Sequence, residues 1–133
     1  MILAIATLVF LASVFPIAVS QEKATVSHET YTYDVSSSKI TSGTVLEVKE
    51  YNCPVSGTVG SHILLKRSGD IIEVHLAPAK FLKQYEIVIN KGDQVAIEAA
   101  PILFEGKPAL LARTVAIGNS TYAFRDTRGN PLW

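Results

Sequence analysis

From Ile40 onward, apolar and polar positions alternate with a period of two, the pattern of half-buried β-strands. Residues 40–51 (ITSGTVLEVKEY) predict a long first strand, with Gly43 allowing the bend that a small barrel needs. The stretch 52–61 (NCPVSGTVGS) contains Pro54, Gly57 and Gly60 and predicts a loop. Two short strands follow, 62–67 (HILLKR) and 71–76 (IIEVHL), joined through Ser68-Gly69-Asp70. Reading Gly69-Asp70 as a two-residue type II′ loop pairs Lys66 with Glu73 and Leu65 with Val74. Ile63, Leu65, Ile72, Val74 and Leu76 then share one apolar face, the interior. His62, Leu64, Lys66, Glu73 and His75 share the outer face, with the two histidines as diagonal neighbours about 7–8 Å apart.

Beyond this hairpin the pattern changes once. Residues 78–85 (PAKFLKQY) place Pro78 ahead of good helix formers and predict a short helix. Strands are expected again at 94–100, 108–117 and 121–124, and residues 125–133 (RDTRGNPLW) close the chain. The expected fold is therefore all-β: a small five- to six-stranded Greek-key barrel with one short helix between strands three and four. That order resembles the OB-fold, and an SH3-like barrel or a small sandwich is the alternative. The opening Gly43-Thr44-Val45 and the closing Arg125-Asp126-x-x-Gly129 are similar to those of the exported bacterial OB-fold (BOF-like) family. The resemblance implies a periplasmic ligand-binding module and no particular reaction.

The first forty residues follow different rules. Residues 1–20 carry no charge, and 2–15 are apolar apart from Thr7 and Ser13. Pro16 ends that run, and Ala18-Val19-Ser20 offers small residues where a signal peptidase reads. Residues 1–20 are therefore expected to be a signal peptide cut before Gln21, with periplasmic or secreted localisation. The alternative is an uncleaved anchor, although Pro16 leaves it short of the ~20 apolar residues that a span needs. Residues 21–39 are rich in Ser, Thr and charge and read as a flexible spacer, in which Tyr31, Tyr33 and Val35 could add a short edge strand. The barrel domain is placed at 40–133.

Composition narrows the function. Twelve Lys and Arg balance twelve Asp and Glu, so clustered positive charge for nucleic acid or an anionic membrane is missing. A membrane partner is expected only if the N-terminal segment is retained. One cysteine excludes an internal disulfide framework and a Cys-rich zinc module. No GxSxG elbow or phosphate loop occurs, and the carboxylates are spread singly, so no enzyme and no cofactor is expected.

Two sets of residues carry candidate chemistry. His62, Lys66, Glu73 and His75 on the outer face, with Tyr51 at the loop edge, suit a small polar ligand such as a sugar or peptide. Cys53, His62 and His75 could instead share a copper or zinc ion, both of which favour sulfur and imidazole. The plainer reading of that trio is two exposed histidines beside a small buried thiol. At the C-terminus, Leu132-Trp133 is expected to fold back over a barrel opening, or to anchor a partner protein. Arg113 shares parity with Leu111 and Val115, so it either lies on an outward strip or pairs with an acid such as Asp126. The leading expectation is a non-catalytic exported binding module. A structural or assembly subunit docking through its C-terminal tail or a sheet edge is one alternative, and a metal-handling protein is the other.

Overall fold

The computed structural model describes residues 31–133. The expected signal peptide lies outside the described residues, as does most of the expected spacer. Among the described residues, no helix is long and apolar enough to cross a membrane.

Strand β1 (Lys39–Cys53) serves two neighbours in turn. Its first half pairs antiparallel with β4 (Gln94–Phe104), and its second half pairs antiparallel with β2 (Thr58–Arg67). Gly43 sits at the handover. A Cβ there would lie 2.4 Å from the Lys66 carbonyl oxygen, so only glycine lets the strand bend this close to β2. Strand β3 (Asp70–Pro78) continues from β2, and α1 (Ala79–Gln84) follows directly, with Phe81 and Leu82 buried. Strand β5 (Lys107–Ile117) returns beside β4 and also runs parallel to β3 through Glu73–Ala109, Val74–Leu110 and His75–Leu111. Hydrogen bonds thus close a ring β1-β2-β3-β5-β4, and β6 (Ser120–Ala123) is added along β5. This is the all-β, OB-like arrangement read from the sequence, with its helix between strands three and four.

Inside the ring, Ile63, Leu65, Ile72, Val74 and Leu76 meet Val45, Ile97, Val115 and Phe124. Each fully buried side chain of this size contributes about 1.5–3 kcal/mol over an exposed one. The faces of β2 and β3 are therefore as expected, but their register is not. The loop is Ser68-Gly69, and Arg67 pairs with Asp70 rather than Ser68 with Ile71. Gly69 takes the second loop position with φ +97°, whereas a type II′ loop needs its positive φ at the first. Partners consequently shift by two residues, which preserves the faces because the side-chain period is two. Lys66 faces Ile71 and Glu73 faces Leu64, so the expected Lys66–Glu73 pair does not form.

Strands also extend further than the sequence pattern suggested. The expected loop at 52–61 shrinks to the turn at 54–57, which makes Cys53 the last residue of β1 and not a loop residue. Strands β4 and β5 run on to a turn at Glu105-Gly106, which carries Phe104 beyond the barrel wall. The described end of the expected spacer packs on that same region. Tyr33 is buried with Ala100 and Leu111, and the Tyr31 ring lies 5.6 Å from that of Phe104. Arg113 pairs across the β4–β5 ladder with Glu98, which leaves Asp126 free to organise the tail.

Candidate metal centre

Three strands deliver three donors to one point. Cys53 ends β1, His62 lies in β2 and His75 in β3, and the two histidines are direct partners in the β2–β3 ladder. A register irregularity between Ser61 and His62 precedes that pair. The outer face of β2 and β3 was expected to be solvated, yet His62 is 1% exposed, His75 2% and Cys53 3%. The reason is a second apolar layer outside the barrel. Cys53, Phe104 and Ala109 form its centre, with Tyr31, Tyr51, Val55 and Ile102 packed around them. Ile102 and Phe104, past the expected end of β4 at residue 100, and Ala109 of β5 supply part of that cover.

The rings form a continuous stack. Tyr51 lies 4.0 Å from His62, His62 meets His75 edge-on at 4.5 Å, and His75 meets Phe104 at 4.4 Å, all between centroids. Gly60 makes the approach possible. A Cβ on it would stand 3.0 Å from His62 Nε2, 3.0 Å from Ser56 Oγ and 3.1 Å from Cys53 Cβ. The turn after β1 is closed by the Gly57 N–H donating to the Cys53 carbonyl at 2.9 Å, which brings β2 back beside the thiol.

Cys53 Sγ lies 3.5 Å from His75 Nδ1, and one donor atom from each of the three residues lies within 4.8 Å of the others. A metal with bonds of about 2.3 Å to sulfur and about 2.0 Å to nitrogen holds its donors roughly 3.3–3.8 Å apart. The cluster therefore needs only a small contraction to enclose an ion. A cavity of about 10 Å³ opens among Cys53, Val55, Ser61, His62, His75 and Trp133, room for a single atom or water. His62 Nδ1 and His75 Nε2 are buried with no hydrogen-bond partner. Unpaired buried polar atoms are rare and costly, and they concentrate where a ligand or a functional group completes them.

Electrostatics keep the donors ready. Burial, reinforced by the neighbouring His75, pushes the His62 imidazolium down to about 4. Burial likewise lowers His75. Both rings are thus neutral at neutral pH, with lone pairs available to a metal. Burial raises the Cys53 thiol, so an adjacent cation is needed to hold it as thiolate. Burial also raises the Tyr51 phenol, which donates to Glu73 Oε1 at 2.5 Å.

Of the residues singled out in the sequence, Cys53, His62 and His75 converge, and Tyr51 and Glu73 flank them as a hydrogen-bonded pair. Lys66 does not join them, being exposed beside Ile71 near the far end of the hairpin. Sequence reasoning missed Gly60 and Phe104. The first looked like an ordinary loop glycine and the second lay past the expected end of a strand. Trp133 does fold back, 38% exposed, against Phe81 at 6.0 Å and Arg125 at 5.0 Å, and it roofs the cavity as well.

Residues 37–122 match the model of the MamS/MamX magnetosome protein family. The chain belongs to that family. No curated protein matches it closely enough to report. The MamS/MamX stretch runs from the turn before β1 into β6 and contains Cys53, His62 and His75. Trp133 and the tail that positions it lie beyond it.

Proposed function

We propose that this MamS/MamX family member is an exported, non-catalytic metal-binding domain in which Cys53, His62 and His75 hold one soft transition-metal ion. The convergence of those three buried donors, with Cys53 Sγ 3.5 Å from His75 Nδ1 and His62 Nδ1 unpaired, is the observation that carries the reading. A thiolate with two imidazoles is a donor set for copper or zinc, and a poor one for magnesium or calcium, which take oxygen ligands. The non-catalytic part rests on size. A catalytic metal keeps a position open for water or substrate, whereas this cavity holds about 10 Å³, filled by the ion itself. The same burial argues against the outer face of β2 and β3 as a platform for a sugar or peptide, since His62 and His75 face no solvent. Export rests on the uncharged apolar run at 2–15 and the small residues at 18–20.

Metal content of the purified protein tests the proposal. After exposure to copper and zinc salts under reducing conditions, the protein should retain one equivalent of metal through desalting, and Cys53→Ser and His75→Gln should retain none. Equal retention by the variants, or none by the parent, contradicts the reading. An intact mass beginning at Gln21 in the exported fraction tests cleavage, and a full-length mass confined to membranes contradicts it.

A further inference from the structure

The donor set brings a definite charge to any ion it holds. One thiolate and two neutral imidazoles bring a single negative charge, and among the described residues no carboxylate joins them. Glu73 is the nearest acid in the register, and its carboxylate is engaged by the Tyr51 hydroxyl. Glu73 and Glu105 both act on Cys53 through space, and Lys49, opposite His62 on β1, opposes Glu73 at His62 alone. A monovalent ion therefore leaves the loaded centre neutral. A divalent ion leaves the donor set with one positive charge, buried against Val55, Leu76 and Ala77 and answered only by carboxylates outside the set.

Coordination number is a second constraint on the ion. Zinc centres are completed by a fourth ligand, from protein in structural sites and from water or substrate in catalytic ones. Here no fourth Cys, His, Asp or Glu lies in reach among the described residues, and the space left is about 10 Å³. Aromatic rings surround the donors: Tyr51 and Phe104 flank the two histidines and Trp133 covers the cavity, with Ser56 and Ser61 as the neutral polar residues of the lining. Such a shell suits a weakly hydrated, polarisable ion.

Resting on the metal-binding reading above, we infer that the centre is built for a monovalent thiophilic ion, copper(I), held by Cys53, His62 and His75 as its three ligands. On binding, the Cys53 thiol gives its proton to solvent and a sulfur–copper bond replaces the sulfur–hydrogen bond. No electron is transferred.

The test is a competition on the full chain under anaerobic conditions, using Cu⁺ buffered by a chelator, Ag⁺ as its redox-inert counterpart, and Zn²⁺. The chain contains a single tryptophan, so its emission reports on Trp133 alone. Cu⁺ and Ag⁺ should each bind one to one, change that emission, and stay bound in a roughly tenfold excess of Zn²⁺. Cys53→Ser should lose at least about a hundredfold in Cu⁺ affinity while keeping its far-ultraviolet spectrum. Ser56→Asp adds a carboxylate at the half-exposed rim of the cavity and should shift the preference towards Zn²⁺. Displacement of Cu⁺ by Zn²⁺ in the parent protein, or a preference that Ser56→Asp leaves unchanged, overturns this inference and leaves metal binding itself standing. Failure of every ion to bind overturns both.

Discussion

His62 and His75 stand directly opposite each other across the β2–β3 ladder, with their rings edge to face at 4.5 Å and each with one nitrogen unpaired. Two buried imidazoles in contact are a poor way to stabilise a sheet, because each leaves a polar atom without a partner. They are a good way to preset two metal ligands. Replacing both by leucine should therefore raise thermal stability or leave it unchanged while abolishing metal retention. Melting temperatures of the metal-free double variant and its parent check this, and a large loss of stability would assign the pair a structural role.

Gly60 leaves room for His62 and Cys53 to approach. Gly60→Ala places a methyl group about 3.0 Å from His62 Nε2, so the ring must give way by a few tenths of an ångström. Metal affinity should fall about tenfold or more with little change in the far-ultraviolet spectrum. Titration of the folded variant reads this out, and unchanged affinity would show that the spacing is not set there.

Gly43 has a different task. Its missing side chain allows β1 to cross beside the Lys66 backbone, which cannot move like a flexible side chain. Gly43→Ala should cost roughly 3 kcal/mol or more, enough to show in urea denaturation. A cost no larger than that of Gly60→Ala would contradict the account of the bend.

The barrel interior and its outer layer separate at neighbouring positions. Val74 is fully buried, and Val74→Asp should unfold the protein by burying an unpaired carboxylate, at several kcal/mol. Glu73→Gln removes the charge that accepts from Tyr51 but keeps an acceptor, so it should cost about 1 kcal/mol. Equal destabilisation would mean that the two side chains had been assigned to the wrong faces.

Asp126 ties down the tail. Backbone N–H groups of Asn130 and Arg128 donate to its carboxylate, and Asn130 first of all holds that carboxyl below its ordinary value. Because the folded-state value is depressed, this support is fully present above the ordinary Asp range. It is lost as the pH falls through the lower, folded value. Trp133 emission should therefore be steady at neutral pH and shift on acidification below the range of a free Asp. Asp126→Ala should show the shifted emission already at pH 7 and lack the acid step.

Much of the fold was legible, since strand alternation and turn residues depend on local chemistry. The interior set Ile63, Leu65, Ile72, Val74 and Leu76 follows from period two alone and survives the register error, because a shift of two residues changes partners and not faces. Gly69 carried that error: a glycine can serve either central position of a tight turn, and only the backbone decides which. The Arg-Asp-x-x-Gly close proves to be a turn, with Gly129 at φ +86° packed on the Tyr33 ring. The site was legible in part. Cys53, His62 and His75 were named from their chemistry, but their burial depends on Phe104 and Ala109, far along the chain. No local pattern says that a polar-looking strand face will be covered by a distant hairpin.

X-ray absorption at the metal edge of the loaded protein tests the central claim most directly, because it counts the ligands by element. The account predicts one sulfur at about 2.3 Å and two imidazole nitrogens at about 2.0 Å. A first shell of oxygen and nitrogen only, or one with two or more sulfurs from joined chains, would contradict it.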